Sequence, residues 1–283
     1  MNTLIPDSLG QLLELLAENI PGTELLAGGT DFNVQCRKGV LNPNRVLCIG
    51  HLDELKGIRL DGEHLRLGAL TTFAEVVANE LLQGHVPDFC RALAHFASPP
   101  VRNLATLGGN IANASPTADS VPPLLVRLAS LELRSVRGVR QLPLNEFFTG
   151  YKRTAMAQDE LITAVLLPVN AEDGLHSYWR KVGTRRALTI AKLSLAGMGR
   201  IENGQLSECR LAAGALNEYP RRLTAVEQHA LTTPLAAITR ESLNEALRRD
   251  ITPIDDLRSD ADYRFETCLN LLQTCLRDWS DHA

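Results

Sequence analysis

Two diglycine loops restrict this chain more than any other feature. They are Ala27-Gly28-Gly29-Thr30-Asp31 and Ala105-Thr106-Leu107-Gly108-Gly109-Asn110. A Gly-Gly pair can take positive φ and bring its backbone against another group with no Cβ in the way. Successive N–H groups in such a turn can form a concavity that accepts anionic oxygens. The adjacent Thr30 and Thr106 hydroxyls can donate to the same anion. Two loops of this kind in one domain can grip the two phosphates of a dinucleotide. They can equally be two tight turns, because glycine commonly punctuates loops. Neither fits the GxGxxG fingerprint or the P-loop, which argues against a Rossmann domain.

Around the loops, helical and strand-like patterns mix. Ser8-Leu9-Gly10-Gln11 has capping-box spacing, and Leu9, Leu12, Leu13 and Leu16 form an apolar stripe. This predicts a helix, which Pro21-Gly22 stops. Short apolar runs at Leu25-Leu26-Ala27 and Val46-Leu47-Cys48-Ile49 read as strands, closing a small α/β unit near Leu55. Thr72-Phe73-Ala74-Glu75 is a second capping box, opening a helix to about Leu82; another is expected from Asp88 to Phe96. The stretches at Leu65–Ala69, Leu131–Ser135 and around Val165–Leu167 alternate as half-buried strands do. The polar segment 168–174, with Pro, Asp and Gly, marks a boundary. Beyond it, strand-like runs at Ala191–Gly199 and Arg210–Gly214 precede a helix. Phe265, Cys268, Leu269, Leu272, Leu276 and Trp279 share one face of that helix. The expected fold class is α+β, with domains at 1–170 (parts 1–55 and 56–170) and 171–283.

Several function classes are disfavoured. With 29 basic and 33 acidic residues, the net charge is -4 and the basic residues are scattered. This gives no electrostatic grip on nucleic acid. No apolar stretch approaches the ~20 residues of a membrane span, and no signal peptide is evident. The six cysteines form no CxxC pair and do not cluster with histidine, so they read as reduced thiols in a cytoplasmic protein without zinc or an iron–sulfur cluster. HExxH and GxSxG are missing, and the histidines are isolated. Residue patterns alone stop at an α+β protein able to bind a phosphorylated ligand.

Four segments go further. They are Leu26-Ala27-Gly28-Gly29-Thr30-Asp31; Ser98-Pro99-Pro100-Val101-Arg102-Asn103-Leu104-Ala105-Thr106-Leu107-Gly108-Gly109-Asn110-Ile111; Ser135-Val136-Arg137-Gly138-Val139-Arg140 ahead of Phe147-Phe148-Thr149-Gly150; and Tyr178-Trp179-Arg180-Lys181-Val182-Gly183-Thr184-Arg185-Arg186-Ala187-Leu188-Thr189-Ile190. In these segments the chain resembles the medium, FAD-binding subunit of molybdenum hydroxylases, the family of bacterial xanthine, carbon monoxide and nicotinate dehydrogenases. The resemblance implies a two-subdomain FAD domain of the vanillyl-alcohol oxidase (PCMH) type and a C-terminal α+β domain. It implies substrate oxidation at a molybdenum cofactor in a large partner subunit. Electrons then cross [2Fe-2S] clusters in a small partner subunit, reach FAD here, and pass to NAD or another acceptor. A dimer of heterotrimers is the expected assembly.

Residue by residue, the resemblance places Leu25, Leu26, Ala27, Gly28, Gly29, Thr30, Asp31 and Phe32 in a first pyrophosphate loop. Thr106, Leu107, Gly108, Gly109 and Asn110 form the second. Phe96 and Lys181 match positions near the flavin, Asp119 an acidic residue bonded to the cofactor, and Ile162 an apolar contact. Each of these four also has a plainer reading: a helix-face core residue, a solvated strand lysine, a loop cap beside Thr117 and Ser120, and a strand core residue. No catalytic acid, base or nucleophile and no metal ligand is expected. Many relatives carry Asp where this chain has Leu188 or Thr189. Relatives with covalent FAD often attach it to a loop histidine; none occurs before His51, so non-covalent FAD is expected. Two alternatives stand beside this reading: a partner subunit with a decayed flavin site, and a stand-alone flavin reductase on the same fold.

Overall fold

The computed structural model describes residues 2–169, 174–185 and 188–281. Asn170, at the expected boundary, and Arg186-Ala187 of the fourth motif lie outside the described residues. The elements run β1 (Asn2–Leu4), α1 (Leu9–Ala17), β2 (Thr23–Leu26), α2 (Phe32–Arg37), β3 (Arg45–Cys48), β4 (Ile58–Asp61), β5 (His64–Gly68) and α3 (Phe73–Ala78). There follow α4 (Glu80–His85), α5 (Pro87–Ala94), α6 (Pro99–Arg102), α7 (Leu107–Ala112), α8 (Val121–Val126), β6 (Ser130–Ser135), β7 (Gly138–Pro143), α9 (Leu144–Phe147), β8 (Phe148–Gly150), β9 (Arg153–Thr154) and β10 (Leu161–Pro168). The last elements are β11 (His176–Val182), β12 (Leu193–Glu202), β13 (Gln205–Gly214), β14 (Arg221–Arg222), α10 (Thr224–Thr232), α11 (Arg240–Asp250) and α12 (Ala261–Asp281).

The chain divides into two compact units, and not by a single cut. The first comprises Met1–Asn113, Ala129–Thr149 and Thr154–Val169; the second comprises Ala114–Leu128, Gly150–Arg153 and Asn170–Ala283.

The first unit holds a parallel sheet of order β1-β3-β2 and an antiparallel sheet of order β4-β5-β10-β6-β7. Leu9, Leu12, Leu13 and Leu16 of α1 pack with Leu47 and Ile49 into a core. Ser8 Oγ accepts from the Gln11 N–H at 3.2 Å, but the Gln11 side chain accepts from Asp7 and not from Ser8, so only half of that capping box forms. At Thr72 and Glu75 both halves form. The helix they open ends at Ala78, short of Leu82, because Asn79 turns extended (φ -75°, ψ 120°) and caps α4 by accepting from Leu82. Strand β10 does not alternate. Leu161 to Leu167 are all buried, as suits a central strand covered on both faces. A register shift interrupts its pairing with β6 between Ile162 and Ala164.

In the second unit, α12 packs on an antiparallel sheet of order β11-β12-β13-β14. Gly199 exists there for space: a Cβ would stand 2.6 Å from the Trp279 ring. Helix α8 is buried at all six positions and lies on β12 and β13. Arg210 donates to the Val126 carbonyl at 2.8 Å, and the Ala215 N–H to Pro116 at 2.8 Å, fixing that segment to β13. Asp250 caps α10 from a distance, accepting from the N–H groups of Ala225 and Val226. Among the described residues, no helix is long and apolar enough to cross a membrane.

Candidate flavin site

Strand β2 ends at Leu26, whose carbonyl accepts from Ile49 at 2.9 Å, while Leu25 and Ala27 pack on the first core. The chain then meets the segment before α7. A Cβ on Gly28 would lie 1.7 Å from the Leu104 carbonyl oxygen, so only glycine fits. Gly29 follows at φ +70°, and α2 begins at once, with Asn33 N–H donating to Gly29 and Gln35 N–H to Asp31. The carbonyls of Gly29 and Asp31 are thus engaged. The N–H groups of Gly28, Gly29, Thr30, Asp31 and Phe32 have no acceptor among the described residues. Five successive amides left in this way carry positive potential toward whatever faces them.

The second loop is built differently. Leu107 N–H donates to Thr71 at 3.0 Å and Gly108 N–H to Ala69 at 2.8 Å. Gly109 N–H donates to Thr106 Oγ1 at 3.3 Å and Asn110 N–H to the Thr106 carbonyl at 3.0 Å. Four of the five amides expected to cradle a phosphate here, those of Leu107 to Asn110, are taken by protein acceptors. Leu107 and Gly108 are buried, and a Cβ on Gly108 would stand 2.6 Å from that of Ala69. What remains is the Thr106 hydroxyl, which accepts from Gly109 and keeps a hydrogen to donate, and the exposed backbone of Gly109.

Phe96 stacks on buried Phe73 with ring centroids 4.1 Å apart, and the Phe73 N–H donates to Ala105 at the threshold of the second loop. Ile162 is buried in β10 beside its register shift. A short relay of backbone bonds connects that strand to the loop: Ala69 N–H to Thr163, then Gly108 N–H to Ala69.

Asp119 and Lys181 belong to the second unit, and the structure brings them together. The Lys181 ammonium donates to Asp119 Oδ2, with both side chains nearly inaccessible. Lys181 is therefore not a solvated strand lysine. Burial pushes the Asp119 carboxyl above its ordinary pKa, and the Lys181 charge and hydrogen bond oppose this. Asp119 Oδ1 is buried with no hydrogen-bond partner. A buried carboxylate oxygen of this kind calls for a donor from outside the protein. In the fourth motif, Thr189 Oγ1 accepts from Thr184 N–H, and exposed Leu188 takes φ +53° with its carbonyl held by Arg185. Among the described residues, no cluster of three His, Cys, Asp or Glu could hold a metal ion.

A family model described as the FAD binding domain in molybdopterin dehydrogenase matches residues 1–170, and one described as the CO dehydrogenase flavoprotein C-terminal domain matches residues 178–279. The chain belongs to the FAD-binding subunits of the molybdenum hydroxylase family. This flavoprotein subunit is 37% identical to the xanthine dehydrogenase FAD-binding subunit of Escherichia coli O157:H7, over 94% of its own length and 90% of the relative. It is 30% identical to the glyceraldehyde dehydrogenase medium chain of Sulfolobus acidocaldarius, covering 92% and 91% of the two chains. Its fold matches a chain of carbon monoxide dehydrogenase from Hydrogenophaga pseudoflava with a TM-score of 0.90, at 26% identity, covering 98% and 96%.

The subunit also relies on residues that sequence patterns do not single out. Leu104, Ala69 and Thr71 shape the site through backbone carbonyls, which any side chain could accompany. Only the glycines facing them leave a trace in the sequence.

Proposed function

We propose that this flavoprotein subunit holds one FAD non-covalently and serves as the electron-transfer subunit of a cytoplasmic molybdenum hydroxylase. The observation that carries this is the run of five open amides from Gly28 to Phe32, in a loop whose close approach to Leu104 only glycine allows. Within the first unit, those amides hold the diphosphate and Thr106 adds a hydroxyl donor, while Leu107 and Gly108 brace the second loop. Leu25, Leu26 and Ala27 fix the approach of the strand, and Gly109 and Asn110 offer the outer face of the second loop. Phe96 and the backbone at Ile162 supply apolar contact. In the second unit, Asp119 Oδ1 accepts from a cofactor N–H or O–H, and Lys181, bonded to Oδ2, opposes the effect of burial on that carboxyl and supplies a cation near the flavin. Bound FAD supplies the redox chemistry, and the protein positions and tunes it. In this reading, electrons arrive from [2Fe-2S] clusters of a small partner and leave to NAD or another acceptor. The substrate is oxidised at a large partner's molybdenum cofactor, in a dimer of heterotrimers.

The test is the visible spectrum of the purified subunit before and after acid precipitation, followed by titration with FAD. Flavin bands that move to the supernatant, and are lost in Gly109→Asp, support the reading. A colourless protein that takes up no FAD overturns it and leaves a partner subunit with a decayed site.

A further inference from the structure

Asp31 stands at the start of α2 with right-handed helical dihedrals, and its carboxylate bonds none of the helix's N–H groups. An acidic side chain in this position ordinarily turns toward those amides. Here it turns the other way. Gln35, one turn on, donates its amide Nε2 to Asp31 Oδ2. The same Nε2 lies 3.4 Å from Oδ1 of Asn113, the C-cap of α7. The Gln35 backbone is anchored as well, its carbonyl accepting from Val40 and Leu41 at 3.0 and 3.3 Å. One half-buried side chain thus joins the acidic residue of the first loop to the far end of the helix that the second loop opens.

We propose that Gln35 is a positioning residue for the phosphate loop, holding the Asp31 carboxylate away from the open amides of Gly28 to Phe32 and tying the loop to Asn113. The proposal rests on the flavin reading above. A carboxylate free to swing back would set its negative charge beside the N–H groups that a phosphate needs and repel the phosphate. An amide restrains it without adding charge. A lysine at this position would restrain it too, but would bring a cation of its own.

Titrating apo-subunit with FAD, followed by quenching of flavin fluorescence, tests this. Gln35→Leu is expected to weaken FAD about ten-fold, with the melting temperature of the apo-subunit moved by less than about 2 °C. The deciding readout is charge rescue. Gln35→Leu combined with Asp31→Asn is expected to bind within about three-fold of Asp31→Asn alone, because the charge that repels the phosphate is gone. Higher salt should also narrow the gap between Gln35→Leu and the wild type. Unchanged affinity in Gln35→Leu, or a loss of the same size in the Asp31→Asn background, overturns the proposal. Wild-type subunit that takes up no FAD overturns the flavin reading itself.

Discussion

Gly28→Ala places a methyl group where the structure has no room. It would begin 1.7 Å from the Leu104 oxygen and 2.6 Å from the Leu104 carbonyl carbon. Non-bonded carbon and oxygen settle no closer than about 3 Å, so one side must yield by more than ~1 Å. The Leu104 side is held. Leu104 and Ala105 both donate to Val101, and Phe73 donates to the Ala105 carbonyl. The first loop must therefore move and carry its amides with it. Gly28 does not have positive φ, so the backbone itself does not object to alanine and the clash acts alone. Overpacking of this kind costs about 1–3 kcal/mol of stability, or several degrees of melting temperature. Losing two charge-assisted bonds to a phosphate, at about 1.5–3 kcal/mol each, weakens FAD by roughly two to four orders of magnitude. Flavin fluorescence titration and scanning fluorimetry measure the two effects. Gly84→Ala is the control: it lies in α4 with nothing within 4 Å of the new methyl. Alanine there should add about 0.5–1 kcal/mol and leave FAD affinity unchanged. Gly28→Ala that binds FAD within about three-fold of the wild type would refute the steric argument.

Three further outcomes are expected. Lys181→Met leaves the Asp119 carboxylate buried without its partner and should cost about 3–5 kcal/mol in chemical denaturation, with Lys181→Met/Asp119→Asn regaining much of it. Because burial raises the Asp119 pKa in the fold, the Lys181→Met loss should grow as pH rises above the ordinary 3.8. Glu160 behaves oppositely: the Arg140 hydrogen bonds hold its carboxyl below the ordinary 4.5, so its contribution is present above that pH and is lost as pH falls through the lowered value. Arg140→Met should therefore destabilise by up to about 1 kcal/mol at neutral pH and by less near pH 3, measured by urea unfolding. Iodoacetamide should label native Cys36 and Cys48 first, as mass spectrometry of peptides will show. Cys90 and Cys209 are buried, burial pushes the Cys268 thiol up to about 12, and Cys275 is pushed well above its ordinary value.

Much of the fold was legible in the sequence because local rules decided it. The leucine stripe of α1, the capping box at Thr72 and the apolar face of α12 all appear where periodicity and capping place them. The break at Asn79 was not legible, because a polar cap in mid-run looks like any exposed helical residue. The burial of β10 was hidden because its neighbours come from distant parts of the chain. At the candidate site, paired glycines marked both loops, but their division of labour depends on whether Ala69 and Thr71 present carbonyls nearby, a tertiary fact. The burial of Lys181 is likewise set by its partner Asp119, 62 residues earlier.

The apolar segment α8 has a consequence for how the chain is made. Its six buried positions leave the ribosome well before β12 and β13, the strands that cover them. At ~5–20 residues per second, the roughly 65 residues between α8 and β12 take several seconds to synthesise. Through that interval Val121, Leu124, Leu125 and Val126 lack the strands that cover them in the fold. Truncation before β12 should therefore leave this apolar segment uncovered and yield a product that aggregates.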